Sequence, residues 1–176
     1  MSDRTFDRAT MVEAFDELSR VLAQRDVEAR LFVVGGAALV LAYGRRRVTR
    51  DVDAIFEPKE AVYAAARVVA RSRGLPDDWL NDAVKGFAPG PDPDQSVVFR
   101  SESLEVAVAS PEYLLAMKLL ASRADQDVED IRLLYSQLGY TTATEGLDLL
   151  ESYYPRERLQ TRVQFLLEEM FGPPSD

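Results

Sequence analysis

The chain lacks both cysteine and histidine throughout its 176 residues. Without cysteine there can be no disulfide, thiolate zinc site or cysteine nucleophile. Without histidine, every mechanism that needs an imidazole as a base or a metal ligand is excluded. Any catalysis must therefore use carboxylates, Lys, Tyr, Ser/Thr, Arg and a metal bound through oxygen.

Lysine is scarce and long apolar runs are missing. Three of the 21 cationic residues are lysines, and the net charge of −9 argues against a protein that coats nucleic acid, although it allows a local basic groove. No apolar run approaches the ~20 residues that span a bilayer. The N-terminal residues 1–4 are polar and lack a signal-peptide pattern. We therefore expect a cytoplasmic protein with no membrane partner.

The hydrophobic content of 47% is sufficient for one packed domain, or for a core with a helical extension. Apolar spacing predicts helices at 9–24, 37–43, 59–73, 75–84, 111–123, 126–138, 142–152 and 155–170, and strands at 30–34, 51–56, 96–100 and 104–109. Trp79 is expected to pack inward. This order predicts an α+β fold, with a small mixed β-sheet core flanked by helices at 1–110 and a C-terminal helical region at 111–176 that packs on the core.

Two motifs close together carry the chemistry. An apolar run ends in Gly35 and Gly36, and Asp51 and Asp53 follow on the next predicted strand. Carboxylates at i and i+2 of a strand share a face, roughly 6.5–7 Å apart, so both could hold a hard cation beside a triphosphate. The glycines allow the turn to bring backbone N–H groups against a phosphate. Either a metal or nearby arginines must neutralise the carboxylates, and the upstream glycine turn favours a metal.

A basic segment lies between the two motifs. Arg45, Arg46, Arg47 and Arg50 place four guanidiniums within six residues. On an acidic chain this is the best place for a triphosphate or an RNA backbone to dock, although a solvated loop would have the same composition. The hydroxyl of Thr49 could also contact phosphate.

Together the motifs resemble those of the DNA polymerase beta-like nucleotidyltransferase superfamily, in which a glycine pair or Gly-Ser precedes an Asp-apolar-Asp/Glu-apolar strand. The matching segments are Val34-Gly35-Gly36 and Asp51-Val52-Asp53-Ala54; the interval is slightly long, and Gly36 stands where many members have Ser. From about residue 30 to 135 the chain further resembles the branch of AbiEii/MenT-like toxins, on Tyr43-Gly44-Arg45, Thr49-Arg50, Asp78-Trp79-Leu80-Asn81-Asp82 and Leu114–Leu119. We expect Trp79 and Asn81 to set packing and a loop rather than to bind a base.

The resemblance implies further active-site residues. In the toxin-like branch a lysine on an apolar helix and an aspartate on the next helix join the paired carboxylates. Lys118 matches the lysine, and either Asp127 or Asp130 matches the aspartate. A snorkelling lysine and an aspartate favoured by the helix dipole are the structural alternatives. Other superfamily members have a third metal carboxylate on a later strand, for which Glu105 is the candidate, unless it is merely the exposed residue of an alternating strand.

The resemblance implies nucleotidyl transfer from a nucleoside triphosphate, with Mg²⁺ or Mn²⁺ held by Asp51 and Asp53, and with Lys118 stabilising phosphate charge. The implied acceptor is the 3′ end of a tRNA, which would make the protein a toxin with a cognate antitoxin as its partner. One alternative is an antitoxin-type enzyme that transfers AMP to a partner protein, and another is transfer of AMP to an antibiotic. The remaining alternative is a non-catalytic nucleotide-binding or interaction module.

Overall fold

A computed structural model describes residues 5–44, 48–121 and 127–173 of the chain. The chain divides into two units. One comprises Met1–Gly86 and Asp94–Ala109, and the other comprises Phe87–Pro93 and Ser110–Asp176. Within the described ranges, no helix is both long and apolar enough to cross a membrane.

The first unit is built on a mixed sheet. Its strands are β1 (Ala29–Val33), β2 (Val52–Glu57), β3 (Leu80–Asn81), β4 (Ser96–Arg100) and β5 (Leu104–Val108). They lie in the order β3-β2-β1-β5-β4. β1 runs antiparallel to β2 and parallel to β5, β3 is parallel to β2, and β4 is antiparallel to β5. The predicted α+β class and the small mixed sheet are confirmed.

Helices of the first unit pack on this sheet. They are α1 (Arg8–Ala23), α2 (Gly35–Ala38), which continues as a π-helical turn (Leu39–Tyr43), α3 (Lys59–Arg73) and a 3-10 turn (Ala83–Gly86). α1 begins at Asp7, whose carboxylate accepts a hydrogen bond from the N–H of Thr10 at 2.8 Å. The apolar residues of α1 recur every three or four positions, so one stripe of the helix is buried: Met11, Phe15, Leu18 and Leu22.

Residues 75–84 do not form the helix that the apolar spacing predicts. The indole N–H of Trp79 donates to the carbonyl of Ala66 in α3 at 3.0 Å, and the Trp79 carbonyl accepts from the N–H of Val52 at 2.7 Å. These contacts hold the chain extended beside β2, so it becomes the short parallel strand β3 followed by a 3-10 turn. The helical prediction was therefore wrong, because long-range contacts overrode local periodicity. The expectation that Trp79 packs inward is confirmed, since its side chain is fully buried.

In its described part, the second unit consists of the irregular segment Phe87–Pro93 and a series of helices. Its helices are α4 (Pro111–Ala121), α5 (Val128–Leu138), α6 (Ala143–Tyr153), a 3-10 turn (Arg156–Arg158) and α7 (Thr161–Phe171). Ser110 begins α4 by accepting from the N–H of Tyr113 at 3.3 Å, and the buried Asp92 accepts from the Ser110 N–H at 2.7 Å.

One continuous helix over 155–170 was predicted, and this was wrong. Leu159 and Gln160 have extended backbones, with ψ of 133° at both residues, and they separate the 3-10 turn from α7. A helix cannot propagate through two extended residues, because its i to i−4 hydrogen bonds are lost there.

Candidate functional site

The two carboxylates of the Asp-x-Asp motif lie where β2 begins. Asp51 directly precedes the strand and Asp53 is its second residue, and both side chains are half-buried. Val52, between them, is fully buried and pairs with Leu80 of β3. Because side chains alternate along a strand, burial of Val52 directs both carboxylates to the opposite face.

The glycine turn lies directly against Asp53. The N–H of Val34 donates to the backbone carbonyl of Asp53 at 2.9 Å, which ties the start of the turn to β2. Gly35 has a φ of +63°, and a β-carbon at this position would lie 3.4 Å from Oδ2 of Asp53. A glycine therefore suits this position in two ways: it adopts a left-handed conformation that other residues resist, and it places no β-carbon against the carboxylate. Gly36, the next residue, is half-buried in α2.

Asn81 completes the surroundings of the aspartates. It is the register partner of Asp53 in the parallel β2–β3 pair, so the two side chains share a face. Its side-chain NH2 donates to Oδ2 of Asp51 at 3.4 Å, and its carbonyl oxygen accepts from the N–H of Ala83 at 3.1 Å. Sequence reasoning assigned Asn81 to packing and a loop, and it missed this contact because β3 itself was not predicted.

Neighbouring side chains fix the segment that follows Asn81. The carboxylate of Asp82 accepts from Tyr63 at 2.6 Å and pairs with Lys59 at 2.6 Å. The hydrogen bond from Lys59, and then that from Tyr63, lowers the pKa of Asp82. Burial, and then the contact with Asp82, raises the pKa of Tyr63. Asp82 is therefore held in its charged form as an anchor for the end of β3.

The predicted phosphate-binding segment is described only in part. The hydroxyl of Thr49 donates to the backbone carbonyl of Asp51 at 3.2 Å, and its backbone forms a bridge with Phe6. Arg50 is exposed beside the aspartates. Arg45, Arg46 and Arg47 lie outside the described residues. Thr49 thus braces the backbone of the Asp-x-Asp motif in this structure.

Glu105 is not brought to the aspartates. It pairs in register with Arg30 of β1, whereas Asp53 lies level with Val34, four residues further along β1. At the rise of a strand that separation is roughly 13 Å. The Glu105 carboxylate instead accepts two hydrogen bonds from the Arg100 guanidinium, at 2.7 and 3.0 Å. In the described part of the chain, no group of three or more acidic side chains is arranged to hold a metal ion.

Two carboxylates are nevertheless sufficient for a magnesium ion that is shared with a nucleotide. Mg²⁺ is usually bound through one or two carboxylates, with substrate phosphates and water supplying the other oxygen ligands. Gly35 adds no β-carbon beside the Asp53 carboxylate, where such an atom would lie 3.4 Å from Oδ2. The oxygen-only donor set also suits Mg²⁺ or Mn²⁺ better than a softer metal.

A second group of predicted residues meets within the helical unit. The Nζ atom of Lys118 on α4 lies 2.8 Å from Oδ1 of Asp127 and 2.7 Å from Oδ2 of Asp130. The three side chains, hereafter the Lys118 cluster, are only 14%, 16% and 9% exposed. Lys118 is therefore paired and largely buried and does not snorkel to solvent. Both aspartates contact it, so the geometry does not choose between them.

Comparison with known proteins identifies one family. The sequence model of a family described as a nucleotidyltransferase of unknown function (DUF6036) matches residues 9–154. The match spans the glycine turn, both aspartates of the Asp-x-Asp motif, Asn81 and the whole Lys118 cluster. No curated protein and no solved structure matches the chain significantly.

Proposed function

The chain belongs to this family of nucleotidyltransferases, and we propose that it transfers a nucleoside monophosphate from a nucleoside triphosphate to an acceptor hydroxyl. The oxygen of the acceptor would form a bond to the α-phosphorus, the α–β phosphoanhydride bond would break, and pyrophosphate and the hydroxyl proton would leave. The observation that carries the proposal is that Gly35 places no side chain against the Asp53 carboxylate, where a β-carbon would stand 3.4 Å from the Oδ2 atom.

Residues of the first unit have separate tasks in this proposal. Asp51 and Asp53 would hold Mg²⁺ or Mn²⁺, and the bound ion would neutralise negative charge on the phosphates. Gly35 and Gly36 would admit a phosphate beside Asp53, because no β-carbon closes the approach at Gly35. Arg50, exposed next to Asp51, would contact the triphosphate tail. The proposal uses no third carboxylate from Glu105.

For the acceptor, we propose the 3′ end of a tRNA, with the protein acting as the toxin of a toxin–antitoxin system. The support is the resemblance to AbiEii/MenT-like toxins, which extends from the Asp-x-Asp motif to the segment around Lys118. Transfer of AMP to a partner protein is the main alternative acceptor chemistry, and the net charge of −9 leans towards it by disfavouring an extensive RNA footprint. A catalytic contribution from Lys118, Asp127 and Asp130 stays a prediction.

The decisive experiment uses α-labelled nucleoside triphosphates. The protein is incubated with Mg²⁺, each labelled triphosphate in turn, and either total tRNA or cell extract. We expect label at the 3′ end of tRNA, and Asp53→Asn should lower the rate at least ~100-fold, since even partners of metal ligands can contribute that much. Glu57→Gln is the matched control, because Glu57 lies on the same face of β2 as Asp53 and four residues further along the strand.

Each outcome has a definite reading. Label in protein alone would replace the tRNA acceptor with a protein acceptor and leave nucleotidyl transfer standing. If no triphosphate labels any acceptor, and Asp53→Asn binds Mn²⁺ as the unaltered protein does, the chain would be a non-catalytic module and the proposal would be rejected.

A further inference from the structure

We infer that Asn81 is a positioning residue for the metal-binding carboxylate of Asp51, an inference that rests on the proposed function. Asn81 would act through Asp51 and not on the nucleotide itself. The Oδ2 atom of Asp51 accepts from the side-chain NH2 of Asn81 at 3.4 Å. Sequence reasoning gave this residue no chemical role.

The direction of the Asn81 amide is fixed by its other contact. The N–H of Ala83 donates to the amide oxygen at 3.1 Å, and a backbone N–H can only donate. The amide oxygen must therefore face Ala83, which leaves the NH2 group facing Asp51. This arrangement presents a donor to one oxygen of a carboxylate that has a second oxygen for a cation.

The position of Asn81 is also fixed by backbone and side-chain contacts on both sides. Upstream, the Val52 N–H donates to the Trp79 carbonyl at 2.7 Å, and Trp79 is fully buried. Downstream, Asp82 is held by Lys59 and Tyr63, each at 2.6 Å. Because the residues before and after Asn81 are fixed, its amide can restrict the rotation of the Asp51 carboxylate before a metal binds. Less conformational entropy is then lost when the metal binds.

A neutral amide suits this position better than a carboxylate would. An aspartate at 81 would place a third negative charge roughly 3 to 4 Å from Asp51, within the range in which like charges strongly disfavour each other's ionised forms. The amide instead donates a hydrogen bond to the Oδ2 atom of Asp51. Partners that orient metal ligands in this way typically contribute about 10–100-fold to metal affinity or activity.

Two variants separate positioning from a purely structural role. Asn81→Ser keeps a short side chain that can accept from the Ala83 N–H, so the turn is retained while the NH2 donor is lost. Asp7→Ala removes the side-chain cap of α1 and leaves Asn81, Asp82 and their partners unchanged. Each protein is measured for Mn²⁺ binding by electron paramagnetic resonance, for the Mg²⁺ concentration that gives half-maximal nucleotidyl transfer, and for thermal stability.

We expect Asn81→Ser to weaken Mn²⁺ binding about 10-fold and to raise the half-maximal Mg²⁺ concentration by the same factor, with little loss of thermal stability. Asp7→Ala should lower the melting temperature, because a helix cap is lost, and leave both metal constants unchanged. If Asn81→Ser binds Mn²⁺ as tightly as the unaltered protein, or if Asp7→Ala shifts the metal constants equally, the inference fails while the proposed function stands. If the unaltered protein binds no Mn²⁺ in the presence of a nucleotide, the proposed function fails and the inference fails with it.

Discussion

Replacing Gly35 by alanine tests the central geometry of the site. At φ +63° an alanine pays about 1–2 kcal/mol for the left-handed conformation, and it regains about 0.4–1 kcal/mol because the unfolded chain loses freedom. The net destabilisation is therefore about 1 kcal/mol, which lowers the melting temperature of a chain of this length by about 2–4 °C. The new methyl group would stand 3.4 Å from Oδ2 of Asp53, in the space proposed for a phosphate.

Gly44 provides a matched control for this substitution. It has the same φ of +63°, but a β-carbon there would meet no described atom within 4 Å. Gly44→Ala should therefore lose the same ~1 kcal/mol of stability without affecting Asp53. We expect nucleotidyl transfer to fall about 100-fold in Gly35→Ala, because a displacement of an ångström at a reacting group can cost that much.

The assay pairs urea unfolding with transfer rates at saturating Mg²⁺. Equal stability losses with an activity loss confined to Gly35→Ala would support the reasoning. Full activity in Gly35→Ala would refute it, because a methyl group beside Asp53 would then be compatible with the bound triphosphate. Equal activity losses in both variants would also refute it, since the left-handed strain alone would then explain the effect.

Three other predictions test the helical unit. A β-carbon on Gly146 would overlap the Tyr135 hydroxyl. Gly146→Ala should therefore lower the free energy of unfolding by about 1–3 kcal/mol, although a glycine-to-alanine change within a helix usually raises it by ~1 kcal/mol. Adding Tyr135→Phe should restore part of this loss, as measured by urea unfolding. Lys118→Met removes the ammonium that two largely buried carboxylates share and should cost about 3 kcal/mol in the same assay, which adding Asp130→Asn should reduce. Burial raises the pKa of Tyr113 to about 12, whereas a tyrosine in the unfolded chain ionises near pH ~10. The free energy of unfolding should therefore be unaffected below pH ~10 and should decline as the pH rises towards 12, because only the unfolded chain then gains stability by ionising. Tyr113→Phe should flatten that alkaline decline.

The glycine turn and the Asp-x-Asp strand could be predicted because their signals are local. An apolar strand, two glycines and an alternating Asp-x-Asp strand are each readable within a few residues, and β1 and β2 pair as neighbours in the sheet. The left-handed φ of Gly35 is likewise a property that only glycine supports easily. Local patterns were therefore enough to place the turn beside β2.

The contribution of β3 could not be predicted from local patterns. Its two residues are too few for any periodicity, and the segment resembles a helix in its apolar spacing. What makes it a strand is distant: the Trp79 indole bonds to Ala66 and the Trp79 carbonyl bonds to Val52. The contact of Asn81 with Asp51 depends on those pairings, which place β3 beside β2.

Glu105 shows a different limit of sequence reasoning. Alternation along β5 indicates which face a side chain occupies, and by register Glu105 and Asp53 do share a face. Alternation does not indicate how far along the strand direction a side chain lies on that face, because this position depends on the register between β1 and β5. A carboxylate can therefore be on the correct face and still be roughly 13 Å from the site.

Backbone pairing on both sides of the Asp-x-Asp motif has a consequence for how the site can be altered. The Val34 N–H bonds to the carbonyl of Asp53, and the Trp79 carbonyl bonds to the N–H of Val52, so main-chain atoms hold the motif in place. Replacing a half-buried carboxylate by an amide of the same shape leaves these main-chain bonds intact. Asp53→Asn should consequently fold as the unaltered protein does, so that a loss of transfer in this variant reports on chemistry and not on unfolding.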